Sequence, residues 1–334
     1  MAGMAWGGDL GEGYMGSADM DELSDILRFT LQPLAKMRQF VEPREADKPY
    51  HKGDKFFWNI YGDTSQPAPE ELSEMEVVPE TDFQVTQSSL TIKEVAIAIP
   101  FTQKLEILAK HDLVSVVKKS LANNARKWFD AEVWKKFKST PLVAVPTGGT
   151  SVSSFVIDTD GVTAIVNNIE LSKEHINLFD DMMRERNIPP DLRTDSYICT
   201  SHPTTFRPLR NDLETLNAYT ESGIARVFAG EIGRYSGFRF VEQTNIAKGG
   251  AEDSTIFNPF TGVSDPWDNA KSSWAFMFGD DTVLECVVCE EQVRARIPGD
   301  YGRAHGMAWY AMVGYGLTHT VPANARIFEW GSAS

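Results

Sequence analysis

Apolar residues recur at spacings of three and four along one stretch of the chain: Leu105, Leu108, Ala109, Leu113, Val116, Val117, Leu121, Ala125, Trp128 and Phe129. That spacing lays a single apolar stripe along a helical cylinder. No glycine or proline interrupts residues 102–140. The pattern therefore predicts one helix from Thr102 to Thr140, roughly 50 Å long at ~1.5 Å per residue. A compact domain has little use for such a rod. A subunit that passes contacts from one neighbour to the next does.

Before that stretch the period changes to two. Lys55 to Tyr61 (KFFWNIY) is aromatic and β-prone. Residues 62–79 are polar, acidic and proline-bearing, which fits a projecting tip. A returning strand runs from Thr81 to Ile99 with Phe83, Val85, Leu90, Ile92, Val95, Ile97 and Ile99 as its apolar set. Its parity switches between Ile92 and Val95, which predicts a bulge near Lys93–Glu94. Pro100 is expected to end the strand and Thr102 to cap the helix. An excursion this long has too little core of its own, so it must lie on something else.

Beyond the helix, residues 141–150 read as a turn-rich exit and residues 151–243 as alternating strands and helices. These include a helix over Leu171–Asn187, a strand at Tyr197–Thr200, a helix over Pro203–Asp212 and a strand at Gly237–Glu242. Residues 247–269 carry the Gly, Pro, Asp and Asn density of a long surface loop. Strands are expected at Thr282–Val288, Met307–Leu317 and Arg326–Trp330. At the other end, Met1 to Gly16 has no periodicity and reads as flexible. Met20 to Phe40 reads as a short helical stretch interrupted near Pro33, and Glu42 to Tyr50 as a linker.

Charge changes this picture locally. The 334-residue chain carries a formal charge of −15, which argues against a free nucleic-acid binder. Yet residues 102–140 hold nine Lys or Arg against four Asp or Glu, so the long helix is basic in an acidic chain. Either it presents a solvated face, or Lys118, Lys119, Arg126, Lys127, Lys135 and Lys136 turn toward an enclosed polyanion. No run of eighteen apolar residues predicts a membrane span, and no secretion signal is visible at Met1–Leu10. Three cysteines, Cys199, Cys286 and Cys289, cannot form a disulfide framework for this length. A reducing cytoplasm is the expected setting.

Candidate chemistry is thin. Cys286-Val-Val-Cys289 has redox spacing, but it lies in a β pattern without a helix amino terminus to stabilise a thiolate. Zinc would need further ligands, and His51, His111, His175, His202, His305 and His319 are scattered. Thr147-Gly-Gly-Thr150 lacks the Lys-Ser/Thr of a phosphate loop, and Gly233 to Gly237 lacks the nucleophile-elbow spacing. The adjacent pairs Asp280–Asp281 and Glu290–Glu291 do not face each other in a strand. No catalytic residue, cofactor site or metal site is proposed by the sequence.

The order of segments is more specific than any motif. The passage Lys52-Gly-Asp-Lys55, the strand-to-helix run Thr91–Lys110, the segment Asp195-Ser-Tyr-Ile-Cys-Thr-Ser-His-Pro203, and Gly230 to Phe240 leading to Gln243-Thr-Asn245 carry a resemblance. The chain resembles the major capsid proteins of tailed bacteriophages, sharpened toward short-tailed ones, with the Hong Kong 97-type fold. That resemblance implies an α+β chain with an N-terminal arm (1–50) and an extended β-hairpin loop (51–100). It also implies a peripheral domain with the spine helix (101–140 and 287–318) and an axial domain (141–286 and 319–334) with an exposed insertion at 247–269.

The same resemblance implies a non-enzymatic subunit that assembles into hexamers and pentamers of an icosahedral shell around double-stranded DNA. Such a subunit belongs in the virion and is assembled in the host bacterial cytoplasm. Its partners would be copies of itself, a separate scaffolding protein, a portal, possible decoration proteins, and DNA held by non-specific inner-surface contact. Relatives that crosslink do so through a lysine of the extended loop; residues 61–92 contain none, so a non-crosslinked shell is expected. Phe56, Phe57, Trp58 and Tyr61 are candidate anchors under a neighbour's helix, or else pack on their own strand partner. Glu70, Glu71, Glu74 and Glu76 are candidates for registry against a neighbour's basic patch. The alternatives are a nanocompartment shell enclosing a cargo enzyme, another phage structural component, and a soluble cytoplasmic α/β enzyme.

Overall fold

The computed structural model describes residues 35–45, 53–64, 82–146, 155–158, 170–192, 195–217, 234–246 and 273–332, with Glu71, Leu72, Glu74, Val78 and Glu80 between the loop strands. Residues 1–34, 147–154 and 247–272 lie outside that set, and with them the flexible stretch 1–16, most of the helix expected over Met20–Phe40, and the surface loop 247–269. The part of that helix within view, Met37–Phe40, is a single 3-10 turn.

The expected long helix is two. α1 spans Gln103–Leu108 and α2 spans Leu113–Lys138. Thr102 caps α1 by accepting from Leu105 N–H at 3.3 Å. Ala109 then turns extended (φ −66°, ψ 135°), and Asp112 starts a new helix by accepting from Val114 N–H at 3.1 Å. The break comes from a capping residue rather than from glycine or proline, and it leaves Ile107 and Leu108 exposed instead of continuing the buried stripe.

Two sheets flank α2. The first has the order β1 (Glu42–Glu45), β11 (Val283–Ala295), β12 (Ala304–Leu317), β4 (Lys93–Thr102). The second runs β6 (Phe155–Asp158), β5 (Leu142–Pro146), β13 (Ile327–Ser332), β10 (Ser273–Phe278), β7 (Tyr197–Ser201), β9 (Phe238–Glu242), β8 (Arg234–Tyr235). Along the first part of α2, Leu113, Val117, Leu121, Ala125 and Phe129 pack on Trp309, Ala311, Val313 and Tyr315 of the four-stranded sheet. Its last turns reach the seven-stranded sheet, where Trp134 meets Trp274 and Phe137 meets Phe276 and Phe278 at ring centroid distances of 5.6, 5.9 and 4.8 Å. One helix thereby supplies the core of both sheets. The far face of the larger sheet is covered by α3 (Lys173–Glu185) and α4 (Pro203–Asn217), with Ile176, Phe179, Met183 and Phe206 packing on Phe328, Met277 and Leu142.

The parity switch near Lys93 marks more than a bulge. β3 (Phe83–Thr91) pairs with β2 (Lys55–Thr64) as a separate two-stranded sheet, whereas β4 pairs with β12 along residues 93–102. The projecting hairpin thus ends at Thr91, and the strand continues past Pro100 to Thr102. On the carboxy-terminal side, the four-stranded sheet begins at Val283, so residues 283–286 belong to it and not to the larger sheet.

Candidate functional site

Three features built from the fold bear on assembly: the anchoring of the N-terminal segment, the projecting hairpin and the exposed side of α2.

Asp130 lies on the buried side of α2, 2% exposed. It accepts from the Met37 backbone N–H at 2.6 Å, from Asn245 Nδ2 at 2.9 Å and from Gln243 Nε2. One carboxylate therefore joins the N-terminal segment, the spine helix and the turn after β9. Burial pushes its pKa up to about 6, against the opposing pull of the Asn245 and Met37 hydrogen bonds. The next residue, Arg38, sits 4.3 Å from the Phe129 ring centre and donates to Glu285 at 3.0 Å and to both oxygens of Glu291 at 2.9 and 3.2 Å. Tyr315 Oη donates to the same Glu285 at 2.7 Å. Glu42 to Glu45 then add a parallel strand beside Leu284–Val287.

The hairpin sorts its side chains by strand parity. Phe56, Trp58 and Ile60 point inward and pack with Leu90, Ile92, Leu284 and Cys286; Trp58 Nε1 donates to the Thr318 carbonyl at 3.1 Å. Phe56 and Trp58 are therefore packed within their own chain, the second of the two arrangements expected for them. Phe57 and Tyr61 face the other way, 53% and 67% exposed. Tyr61 meets Phe83 across the ladder at 6.2 Å, and Phe83 and Val85 are themselves exposed. The sequence reading did not single out Phe83 and Val85 as surface residues; their alternation opposite Tyr61 was the available signal. Glu71 and Glu74 are exposed at the tip, while Glu70 and Glu76 lie outside the described residues.

The six basic residues of α2 do not form one patch. Lys118, Lys119 and Arg126 are exposed; Lys127, Lys135 and Lys136 are half-buried. At ~100° per residue, Lys119 and Arg126 share a face and Lys135 lies opposite them. Lys135 is paired with Glu132, and Arg126 donates to the Ala35 carbonyl at 3.2 Å. Lys135, Lys136 and Lys138 crowd the last turn, where cations complement the helix dipole. Lys138 sits 3.2 Å from the Trp274 ring centre.

Where the chain passes between the two sheets, Asp281 takes His319 Nε2 at 2.9 Å and Arg326 Nη1 at 3.2 Å. Burial alone would raise its pKa, but these partners outweigh it and hold the carboxyl below its usual range. Burial pushes the Cys199 and Cys286 thiols up, away from a reactive thiolate. His175 is buried in the capping box of α3 with Ser172, and burial lowers its pKa to about 4. Among the described residues no group of His, Cys, Asp and Glu could hold a metal ion, and no helix is long and apolar enough to cross a membrane.

A family model described as Phage capsid protein matches residues 86–326, from the middle of β3 to the residue before β13. The chain belongs to the phage capsid protein family. It is a major capsid protein, a structural subunit of a phage shell, and its α+β architecture is the Hong Kong 97-type fold. Solved capsids share that fold along nearly the whole chain. The capsid of cyanophage P-SCSP1u superposes with a TM-score of 0.68 at 13% identity, over 94% of this chain and 93% of that one. Cyanophage Pam1 gives 0.67 at 13% identity, over 97% and 99%. The mature capsid of bacteriophage PhiM1 gives 0.64 at 10% identity, over 94% and 91%. Among curated proteins, none matches the capsid protein's sequence at a significant level.

Proposed function

We propose that this capsid protein assembles into hexamers and pentamers of an icosahedral shell around packaged double-stranded DNA, with the extended hairpin as its principal contact with the neighbouring subunit. The observation that carries this reading is the outer face of the hairpin. Phe57, Tyr61, Phe83 and Val85 are each half or more exposed on a projecting two-stranded ribbon. Isolated ribbons are marginal in water, and a run of exposed aromatic and branched residues on one is a surface awaiting a partner. A second copy of the chain supplies that partner in every capsomer.

The division of labour follows the sheets. Residues 1–50 act as the arm, and the β2–β3 hairpin as the extended loop. The four-stranded sheet with α2 is the peripheral domain and the seven-stranded sheet the axial domain, with 247–269 as an insertion in the sequence of the latter. The role is structural and not catalytic, and the absence of lysine from residues 61–92 supports a shell without loop crosslinks. Of the six basic residues of α2, exposed Lys118, Lys119 and Arg126 make the non-specific contact with DNA in this reading. A separate scaffolding protein, a portal and decoration proteins complete the partners, and the mature protein resides in the virion after assembly in the host cytoplasm.

Sedimentation and negative-stain imaging of the recombinant protein, alone and with its phage assembly partners, test the reading. Ring-shaped capsomers or closed shells are expected. A monomer under every condition refutes it. Replacing Glu70, Glu71, Glu74 and Glu76 with glutamine is expected to slow assembly or yield aberrant particles; normal particles at the normal rate would remove the tip acids from the contact.

A further inference from the structure

We propose that Gly314 and Gly316 of β12 form the seat that fixes the angle of the extended hairpin, and through that angle the spacing of neighbouring subunits. The proposal rests on the shell-forming reading above and names the residues that position its main contact.

The hairpin crosses the outer face of β12 at its root. A Cβ placed on Gly314 would lie 2.6 Å from Leu90 Cδ1, 2.8 Å from the Thr91 carbonyl oxygen and 3.2 Å from Ile92 Cα. One placed on Gly316 would lie 2.9 Å from Leu90 Cβ and 2.9 Å from Trp58 Cη2. Two glycines two positions apart, on one face of a strand, let a second sheet descend onto the backbone. Gly306, in the same strand, shows the contrast: its added Cβ would meet only ordinary contacts at 3.4 Å and beyond, none of them to the hairpin.

The other ties are also at the root. Ile92 N–H donates to the Asp54 carbonyl at 2.7 Å, and Trp58 is hydrogen-bonded to Thr318. Further out, Tyr61, Phe83 and Val85 stand exposed, so among the described residues the direction of the ribbon is set where it crosses β12. A crevice of about 190 Å³, lined by Leu90, Thr91, Gly314 and Lys136, lies beside the crossing and leaves the hairpin room to tilt.

The lever is long. Relieving the overlap at Gly314 requires a lift of roughly 0.9 Å to reach normal carbon contact distance. Leu90 is about 7 Å from the Ile92 tie, and the distal end of the ribbon about 30 Å, at ~3.4 Å per residue. The lift becomes a displacement of about 4 Å at the distal end, enough to misplace a packed interface.

Gly314→Ala and Gly316→Ala test this, with Gly306→Ala as the matched control, in the full-length chain. Hydrogen exchange on the unassembled protein reads the seat: amides of 55–64 and 83–91 should exchange about tenfold faster or more, with the seven-stranded sheet unchanged. Electron microscopy of assemblies reads the consequence: the two variants should give shells of altered diameter or incomplete closure, while Gly306→Ala matches the wild type. Unchanged exchange in the hairpin, shells of wild-type diameter, or the same defect from Gly306→Ala overturns the proposal. If Gly314→Ala does not fold, Leu90→Ala removes the seated side chain without adding an atom to β12, and normal shells from it overturn the proposal equally. Failure of the wild type to form shells would instead sink the shell-forming reading, while the exchange comparison still judges the seat.

Discussion

Asp130 is a buried carboxylate at the meeting of three segments, and its pKa makes a quantitative statement about stability. The group is raised from 3.8 to about 6 by burial. Ionisation is therefore harder in the folded chain than in the unfolded one. The linked contribution is fully present below the unfolded value and is lost as pH rises through the folded value. At ~1.36 kcal/mol per unit, the whole effect is about 3 kcal/mol, of which about 2 kcal/mol falls between pH ~4.5 and ~7.5. Asp130→Asn keeps the shape and removes the charge. Gln243 Oε1 is buried with no hydrogen-bond partner, so turning that amide offers the new side chain an acceptor. Urea unfolding of unassembled wild type and variant across this pH range isolates the effect, because the chain's other carboxylates cancel in the difference. The Asn variant is expected to gain on the wild type by about 2 kcal/mol as pH rises. A difference that stays flat to within about 0.5 kcal/mol refutes the assignment of Asp130 as a strained buried charge.

Other substitutions test the remaining contacts. Arg38→Ala leaves Glu285 buried without its cation and should cost about 2–3 kcal/mol, with faster amide exchange in Glu42–Glu45 as the specific readout. Thr102→Ala removes the cap of α1 and should cost about 1 kcal/mol in thermal unfolding, leaving α2 intact because Asp112 caps it separately. Replacing Tyr61 and Phe83 together with serine should leave the subunit's melting temperature within a few degrees of wild type while suppressing shell formation in sedimentation; a large loss of stability would place these rings in the subunit's own core instead.

Much of the fold was legible because period and punctuation are local. The strands at Tyr197–Ser201, Phe238–Glu242 and Ile327–Ser332 and the helix over Lys173–Glu185 stand within a few residues of where alternation and helical spacing put them. The Thr102 cap was readable for the same reason. The break at residues 109–112 was missed by looking only for glycine and proline, although Asp112 before an apolar run is a start signal in its own right. The parity switch at Lys93 was read as a bulge because one strand's alternation cannot show that its two halves pair with different partners. The same blindness to partners treated Phe56, Phe57, Trp58 and Tyr61 as one group, when the crossing of β12 beneath the hairpin decides which of them are buried. Asp130 was hidden by distance: its partner Met37 is 93 residues away along the chain.

A chain selected to stick to copies of itself must also forbid the wrong kind of sticking. The four-stranded sheet ends on one side in β1, whose sequence is Glu-Pro-Arg-Glu, and on the other in β4, which carries Lys93, Glu94 and Pro100. Proline withholds a ladder donor and clustered charges repel a flat partner, so both borders are poor templates for another strand. Pairing Glu42–Glu45 with β11 therefore has a second effect besides tethering that segment: it replaces a border of Leu-Glu-Cys-Val by one that resists fibrous growth. At high protein concentration, closed shells compete with open-ended aggregates for the same subunits. Sealing the sheet tilts that competition before any two subunits meet.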